Sequence, residues 1–251
     1  MNPIYIIIAI ILILERVLPF RKAPMLRSGI FSDVVWYNIF QEQFFTLFLI
    51  QFLEQFPKLH HFYTISNLPF WIQLLILFVI QDFLTYWYHR YAHNSFIWRF
   101  HELHHSTVHV DWLSGARQHI LESWIPIIAN SVSFCLFFGD IRIAETVAGI
   151  VTVHGIYAHS NIRNKIGWLQ YIVISAEMHR CHHLKDIKYQ RSNYGNVLSI
   201  WDWLFGTAYY PREEEYKDIP YGTDEPYPQN FVKAYIHGFR KMKLSTEDTK
   251  T

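Results

Sequence analysis

Histidine spacing limits what this chain can fold into more than any other feature. Four clusters stand out: His89-Arg-Tyr-Ala-His93, His101-Glu-Leu-His104-His105, His154-Gly-Ile-Tyr-Ala-His159 and His179-Arg-Cys-His182-His183. Residues three or four apart on an α-helix are neighbours, with Cβ atoms roughly 5–6 Å apart. His89 and His93 can therefore share one ion, as can His101 with His104 or His105, and His179 with His182 or His183. Neutral imidazole suits iron, zinc, copper or nickel. Together His89, His93, His101, His104, His105, His159, His179, His182 and His183 offer nine imidazoles, and His154 would be a tenth. A tetrahedral zinc site closes on four ligands. This larger set suits two metals with four or five ligands each and room for oxygen or water. The fold must bring at least four separate segments to one place.

The apolar residues run in blocks. Ile4–Leu14 is almost purely aliphatic, Val34–Phe56 is interrupted by Gln and Glu, and Leu68–Tyr88 is about the ~20 residues a bilayer span needs. Trp124–Phe138 and Ile141–Ala158 flank a short turn and form a hairpin that dips into or crosses the bilayer. The expected fold is all-α: an integral-membrane helical bundle of about four or five membrane helices, carrying a cytoplasmic, histidine-rich helical cap. Residues 1–78 are read as N-terminal membrane helices, 79–208 as the catalytic domain and 209–251 as a polar cytoplasmic tail. The first run starts Met-Asn-Pro, and its basic residues Arg16, Arg21, Lys22 and Arg27 come after it. That order fits an uncleaved span rather than a signal peptide.

Lys and Arg favour the cytoplasmic side. With Arg16–Arg27 inside, the Pro57–Pro69 loop with His60 and His61 lies outside. Every Lys and Arg except Lys58 and Arg142 then falls inside, as does every histidine cluster. The net charge of +1 carries no field that would draw nucleic acid. Two cysteines allow no disulfide framework, and Cys181 on a helix points away from His179, His182 and His183. Asn230–Lys243 has the pattern of a basic amphipathic helix, with Phe231, Tyr235, Phe239 and Met242 on one face. Histidine ligands are oriented by outer partners. The acidic candidates for that task are Asp82, Asp111, Glu122, Glu177, Asp186 and Asp202.

The motifs resemble the fatty acid hydroxylase/sterol desaturase superfamily of integral-membrane di-iron enzymes. They are Asp82-x6-His89-Arg90-x2-His93, His101-x2-His104-His105-Ser106, Asp111 with Arg117-x-His119-x2-Glu122, His159-x-Asn161, His179-Arg180-x-His182-His183, Asn193-Tyr194-Gly195 and Trp201-Asp202-x2-Phe205-Gly206-Thr207. The resemblance implies two iron ions held by the histidines, with O2 as co-substrate. It implies hydroxylation or desaturation of a lipid C–H bond: a sterol, fatty acyl, sphingolipid, alkylglycerol or carotenoid substrate entering from the bilayer of a plasma membrane or endoplasmic reticulum. The chain lacks a haem signature and a G-x-G-x-x-G, so electrons come from outside, from a ferredoxin or a cytochrome b5-type protein. The family often has Pro where this chain has Ile120, and its histidines vary around the position of His154. His119 is expected to hydrogen-bond rather than ligate. Against this stand a zinc-dependent membrane hydrolase, since His101-Glu102-x-x-His105 is a zinc-protease pattern, and a histidine-rich metal transporter. A transporter carries ionisable residues along its spans, and these spans are nearly free of them.

Overall fold

The computed structural model describes residues 3–24, 26–35, 65, 67–137, 140–210 and 212–240. Among these residues the fold is all-α, with three isolated β-bridges stitching loops together. Helix α1 spans Pro3–Val17 and α2 Ile30–Val35. Helix α3 is Phe70–His93 and α4 Trp98–His105. The pair α5 (Ile120–Phe137) and α6 (Ile141–His159) follows. Short helices α7 (Ala176–His182), α8 (Ile187–Gln190), α9 (Ile200–Leu204), α10 (Glu213–Tyr216) and α11 (Phe231–His237) complete the chain. Two 3-10 turns, Ser114–Ala116 and Gly167–Tyr171, connect them.

The apolar blocks form helices whose few polar residues are buried with partners, as Asp82 of α3 is. At 24 residues, α3 is about 36 Å long at the usual rise per residue, and among the described residues it alone is long and apolar enough to cross a membrane. It packs against both α5 and α6, meeting α6 through Leu77, Ile143 and Val147, all fully buried. Asn94 stops α3 by donating from its side chain to the Arg90 carbonyl. Asp140 starts α6 by accepting from the Arg142 amide, and Ser175 starts α7 by accepting from Met178, as N-caps do. The expected Val34–Phe56 span, His60 and His61 fall almost entirely or entirely outside the described residues.

The segment after α1 folds onto the histidine-bearing end of the bundle. Phe20 and Arg163 exchange backbone hydrogen bonds with Asn161 and Leu18, and the Arg21 guanidinium lies over the Tyr221 ring at 4.1 Å. The C-terminal region packs there too, burying Tyr216, Tyr221, Tyr227 and Ala234. Tyr235 of α11 turns inward and stacks on His119 at 5.0 Å, and Phe239, just past the end of α11, meets the same ring at 5.6 Å while staying largely exposed, as Val232 and Ile236 are.

Candidate metal centre

The C-terminal end of α3 supplies His89 and His93. One turn of α4 supplies His101, His104 and His105. The last residue of α6 is His159, and α7 with its C-cap supplies His179, His182 and His183. These nine converge as two groups. One holds His89, His93, His101, His105 and His182, the other His104, His159, His179 and His183, and within each group one ligand nitrogen per residue lies within 4.8 Å of all the others. The groups adjoin: the His105 and His183 rings stack at 4.4 Å. His104 and His105 are consecutive on α4, so their side chains diverge by about 100°, and each enters a different group.

Backbone carbonyls fix the rings. Nδ1 of His89 faces the Tyr194 carbonyl at 2.9 Å, His104 that of Arg117 at 3.1 Å, His159 that of Gly155 at 2.8 Å and His182 that of Ser192 at 2.7 Å. A carbonyl only accepts, so each of these Nδ1 atoms carries the proton and, in a neutral ring, Nε2 carries the lone pair. Those lone pairs face one another. The Nε2 atoms of His182 and His89 are 3.0 Å apart, and those of His159 and His104 are 3.2 Å apart. His101 with His93 and His179 with His159 repeat the contact at 3.0 and 2.9 Å. Two ligands at about 2.1 Å from one ion and at right angles to each other are about 3.0 Å apart, so this spacing is that of neighbouring ligands. Both nitrogens of His105 and Nδ1 of His179 and His183 are buried without a hydrogen-bond partner. An unpaired buried polar atom costs about 1–3 kcal/mol, and a shared cation removes part of that cost. Burial also keeps these imidazoles neutral. His104, His105, His179 and His183 are held well below the ordinary range by desolvation first and neighbouring histidines second, and His182 is lowered to about 3. Neutral nitrogen is the form a metal binds. The donor set fits first-row transition ions.

Carboxylates act mostly one layer further out than expected. Of the six acidic candidates, only Glu122 bonds a grouped histidine, accepting from His101 Nδ1. Asp202 accepts from the Tyr194 and Gly195 amides at 2.8 and 2.7 Å, and Asp82 from those of Val197 and Leu198. Both thereby hold the loop whose Tyr194 carbonyl orients His89. Asn193 opens that loop in the left-handed region, φ 56°, and ties it to α7 through the Met178 carbonyl. Gly195 is required there, since a Cβ would lie 2.5 Å from the Leu198 carbonyl oxygen. Asp111 pairs with Arg27, Glu177 accepts from Tyr216, and Asp186 caps α8. The Trp98 ring lies against His93 and His105 at 4.9 and 5.3 Å and shields the five-histidine group.

His154, expected among the ligands, belongs to neither group. Five residues before His159, it sits about 140° around α6 from it. His119 lies outside both groups: its Nδ1 accepts from Leu121 and its Nε2 faces the Tyr235 carbonyl, so it braces α11. Cys181 is buried in an apolar cluster with Phe20 and Tyr216, away from the metal groups. The zinc-protease pattern does not assemble. His101 and His105 share a group, but the Glu102 carboxylate is bonded to Arg240 rather than poised over the histidines. The orienting carbonyls of Arg117, Gly155, Ser192 and Tyr194 left no mark in the sequence, because any residue carries one. Arg27 and Asp33, which brace this region, were also missed as site residues.

Comparison with known proteins agrees with this geometry. The fatty acid hydroxylase family matches residues 74–207, which include every grouped histidine. An ornithine lipid hydroxylase of Rhizobium tropici is 26% identical over 230 residues, 87% of this chain and 70% of that protein. Human alkylglycerol monooxygenase is 30% identical over 170 residues, 65% of this chain but only 36% of that longer protein. A very-long-chain aldehyde decarbonylase of Oryza sativa is 30% identical over 155 residues, 56% of this chain and 54% of that protein. No solved structure matches. With nine histidines in two adjoining groups inside the matched region, the chain belongs to the fatty acid hydroxylase family and is an oxidoreductase of the hydroxylase and monooxygenase kind.

Proposed function

We propose that this protein is a multi-pass membrane enzyme that uses O2 and external electrons to hydroxylate or desaturate a lipid C–H bond at a pair of iron ions. The observation that carries the reading is the pair of adjoining all-histidine groups, five and four, buried at one end of α3. Two irons bound there would supply the oxidising power that an unactivated C–H bond requires. His89, His93, His101, His105 and His182 would hold one, and His104, His159, His179 and His183 the other. The Tyr194, Arg117, Gly155 and Ser192 carbonyls keep each Nε2 lone pair aimed at its ion. Glu122 does the same for His101. Trp98 and the surrounding core exclude water from the groups.

The long apolar α3, with its histidines at one end, supports a substrate that stays in the bilayer and reaches the metals at the interface. α3 is the full-length span of this reading, and α1 and the α5–α6 hairpin would dip into or cross the bilayer beside it. Packing of the Arg16–Arg27 segment against the histidine-bearing end supports placing both on the cytoplasmic face. Relatives that act on an ornithine lipid and on alkylglycerols support a glycerolipid or acyl-chain substrate. A ferredoxin or cytochrome b5-type donor would deliver electrons from the cytoplasmic side.

The test is incubation of iron-loaded protein with a membrane lipid extract, a reductase–ferredoxin donor and 18O2. A lipid gaining one 18O atom, or losing two hydrogens, is expected only with donor and oxygen together. Hydrolysed lipid without oxygen consumption would overturn the reading.

A further inference from the structure

The segment between α1 and α3 makes the most extensive buried ionic contact in the described residues, and it lies outside residues 74–207. Arg27 donates from Nε and Nη2 to the two oxygens of Asp111 at 2.7 and 3.1 Å, and from Nη1 to Asp33 at 2.7 Å. Arg117 donates from Nε to the other oxygen of Asp33 at 3.0 Å and from Nη1 to Ser106 at 3.0 Å. All four charged side chains are buried, and two cations balance two anions. Forked guanidinium–carboxylate contacts of this kind fix geometry as well as charge.

Asp111 and Arg117 bracket the 3-10 turn Ser114–Ala116. Asp111 accepts from the Leu113 amide and the Ser114 hydroxyl at its start, and Arg117 is its C-cap. This turn touches histidines of one group only. The Arg117 carbonyl holds His104 Nδ1. Gly115 lies so close to His159 that a Cβ would be 2.9 Å from its Nδ1. His104 and His159 both belong to the four-histidine group. The other group takes its outer contacts from Glu122, Tyr194 and Ser192.

We infer that Arg27 and Asp33 are positioning residues for the four-histidine group: from outside the family-matched region they clamp both ends of the 111–117 turn and so set the rings of His104 and His159. The clamp leaves the five-histidine group alone. Gly29 belongs to it. Its φ is +81°, and a Cβ there would sit 1.7 Å from Arg117 Nη2, so Gly29→Ala pushes the guanidinium off Asp33 without removing a charge. The inference rests on the two-metal reading.

The test is equilibrium titration of the metal-free full-length protein in detergent with Co(II), followed by visible absorption. The wild type is expected to bind in two steps, with His179→Ala removing the step of the four-histidine group and His105→Ala that of the other. Arg27→Met and Gly29→Ala are each expected to weaken the His179-dependent step by about 10-fold or more, the usual scale for losing an outer contact. The His105-dependent step stays within about twofold. Gly195→Ala, which disturbs the loop behind His89, gives the opposite selectivity. Gly29→Ala carries the test alone if Arg27→Met fails to elute as a monodisperse species. Equal weakening of both steps, or no change in either, overturns the inference. A wild-type chain that binds a single Co(II) overturns the two-metal reading, and the inference with it.

Discussion

His89 and His182 face each other Nε2 to Nε2 at 3.0 Å with no proton between them, because each ring commits its N–H to a carbonyl, Tyr194 and Ser192. Residues 93 positions apart meet here lone pair to lone pair, an arrangement that a shared cation would stabilise. The geometry separates ligands from neighbours. His182→Ala and His105→Ala are expected to lower bound metal toward one ion per chain, with turnover abolished. His154→Ala and His237→Ala should keep full metal, since neither residue lies in a group. Metal per chain by mass spectrometry after gel filtration decides it. Full occupancy in His182→Ala would remove that residue from the site.

Outer contacts should show as affinity. Glu122→Gln keeps the shape but weakens the acceptor for His101, and Gly195→Ala forces the loop behind His89 to move. Each is expected to cost about 10–100-fold in metal affinity or activity. Competition with a chromogenic chelator gives the number. An unchanged affinity in both variants would mean that the rings are set by packing alone.

The metal-free protein should be acid-sensitive. Burial lowers His182 to about 3, and holds His104, His105, His179 and His183 well below their ordinary range. An unfolded histidine titrates near 6.5. Between those values the unfolded chain binds more protons, so folding stability falls as pH drops. The stability is complete above about pH 6.5 and is lost progressively toward pH 3. Thermal melting of chelator-treated protein from pH 8 to 5 should show a falling midpoint; a rising one would contradict the buried, neutral state of these rings.

The proposed cytoplasmic placement rests on the charge pattern, and the packing of Leu18, Phe20 and Arg21 beside the histidine-bearing end puts both on one side. Cysteines placed at Lys22 and Lys188 should react with an impermeant maleimide only after the cytoplasmic side is exposed, and one at His60 from the opposite side. Reaction of position 60 from the cytoplasm would break the topology.

The histidine groups were legible in the sequence because a metal site needs particular side chains at helical spacing, and α3, α4 and α7 display that spacing directly. The division into five and four was not. It depends on His104 and His105 pointing into different groups, which requires knowing where α6 and α7 cross α4. His154 stands outside both groups for a related reason: an interval of five on α6 looks like a pair in the sequence but lies on another face of the helix. The apolar runs gave the helices α1, α3, α5 and α6 to within a few residues. The Arg27–Asp33–Asp111–Arg117 clamp was invisible, since its partners lie 84 residues apart and charge alone does not report burial.

The central claim is that the two groups each hold an iron. The most direct measurement is iron per chain, with Mössbauer spectra, after anaerobic reconstitution of purified full-length protein with 57Fe(II). Two irons per chain in nitrogen-rich environments are expected, since five and four histidines form separate, adjoining groups. One iron per chain, or zinc retained with no iron taken up, would contradict the account.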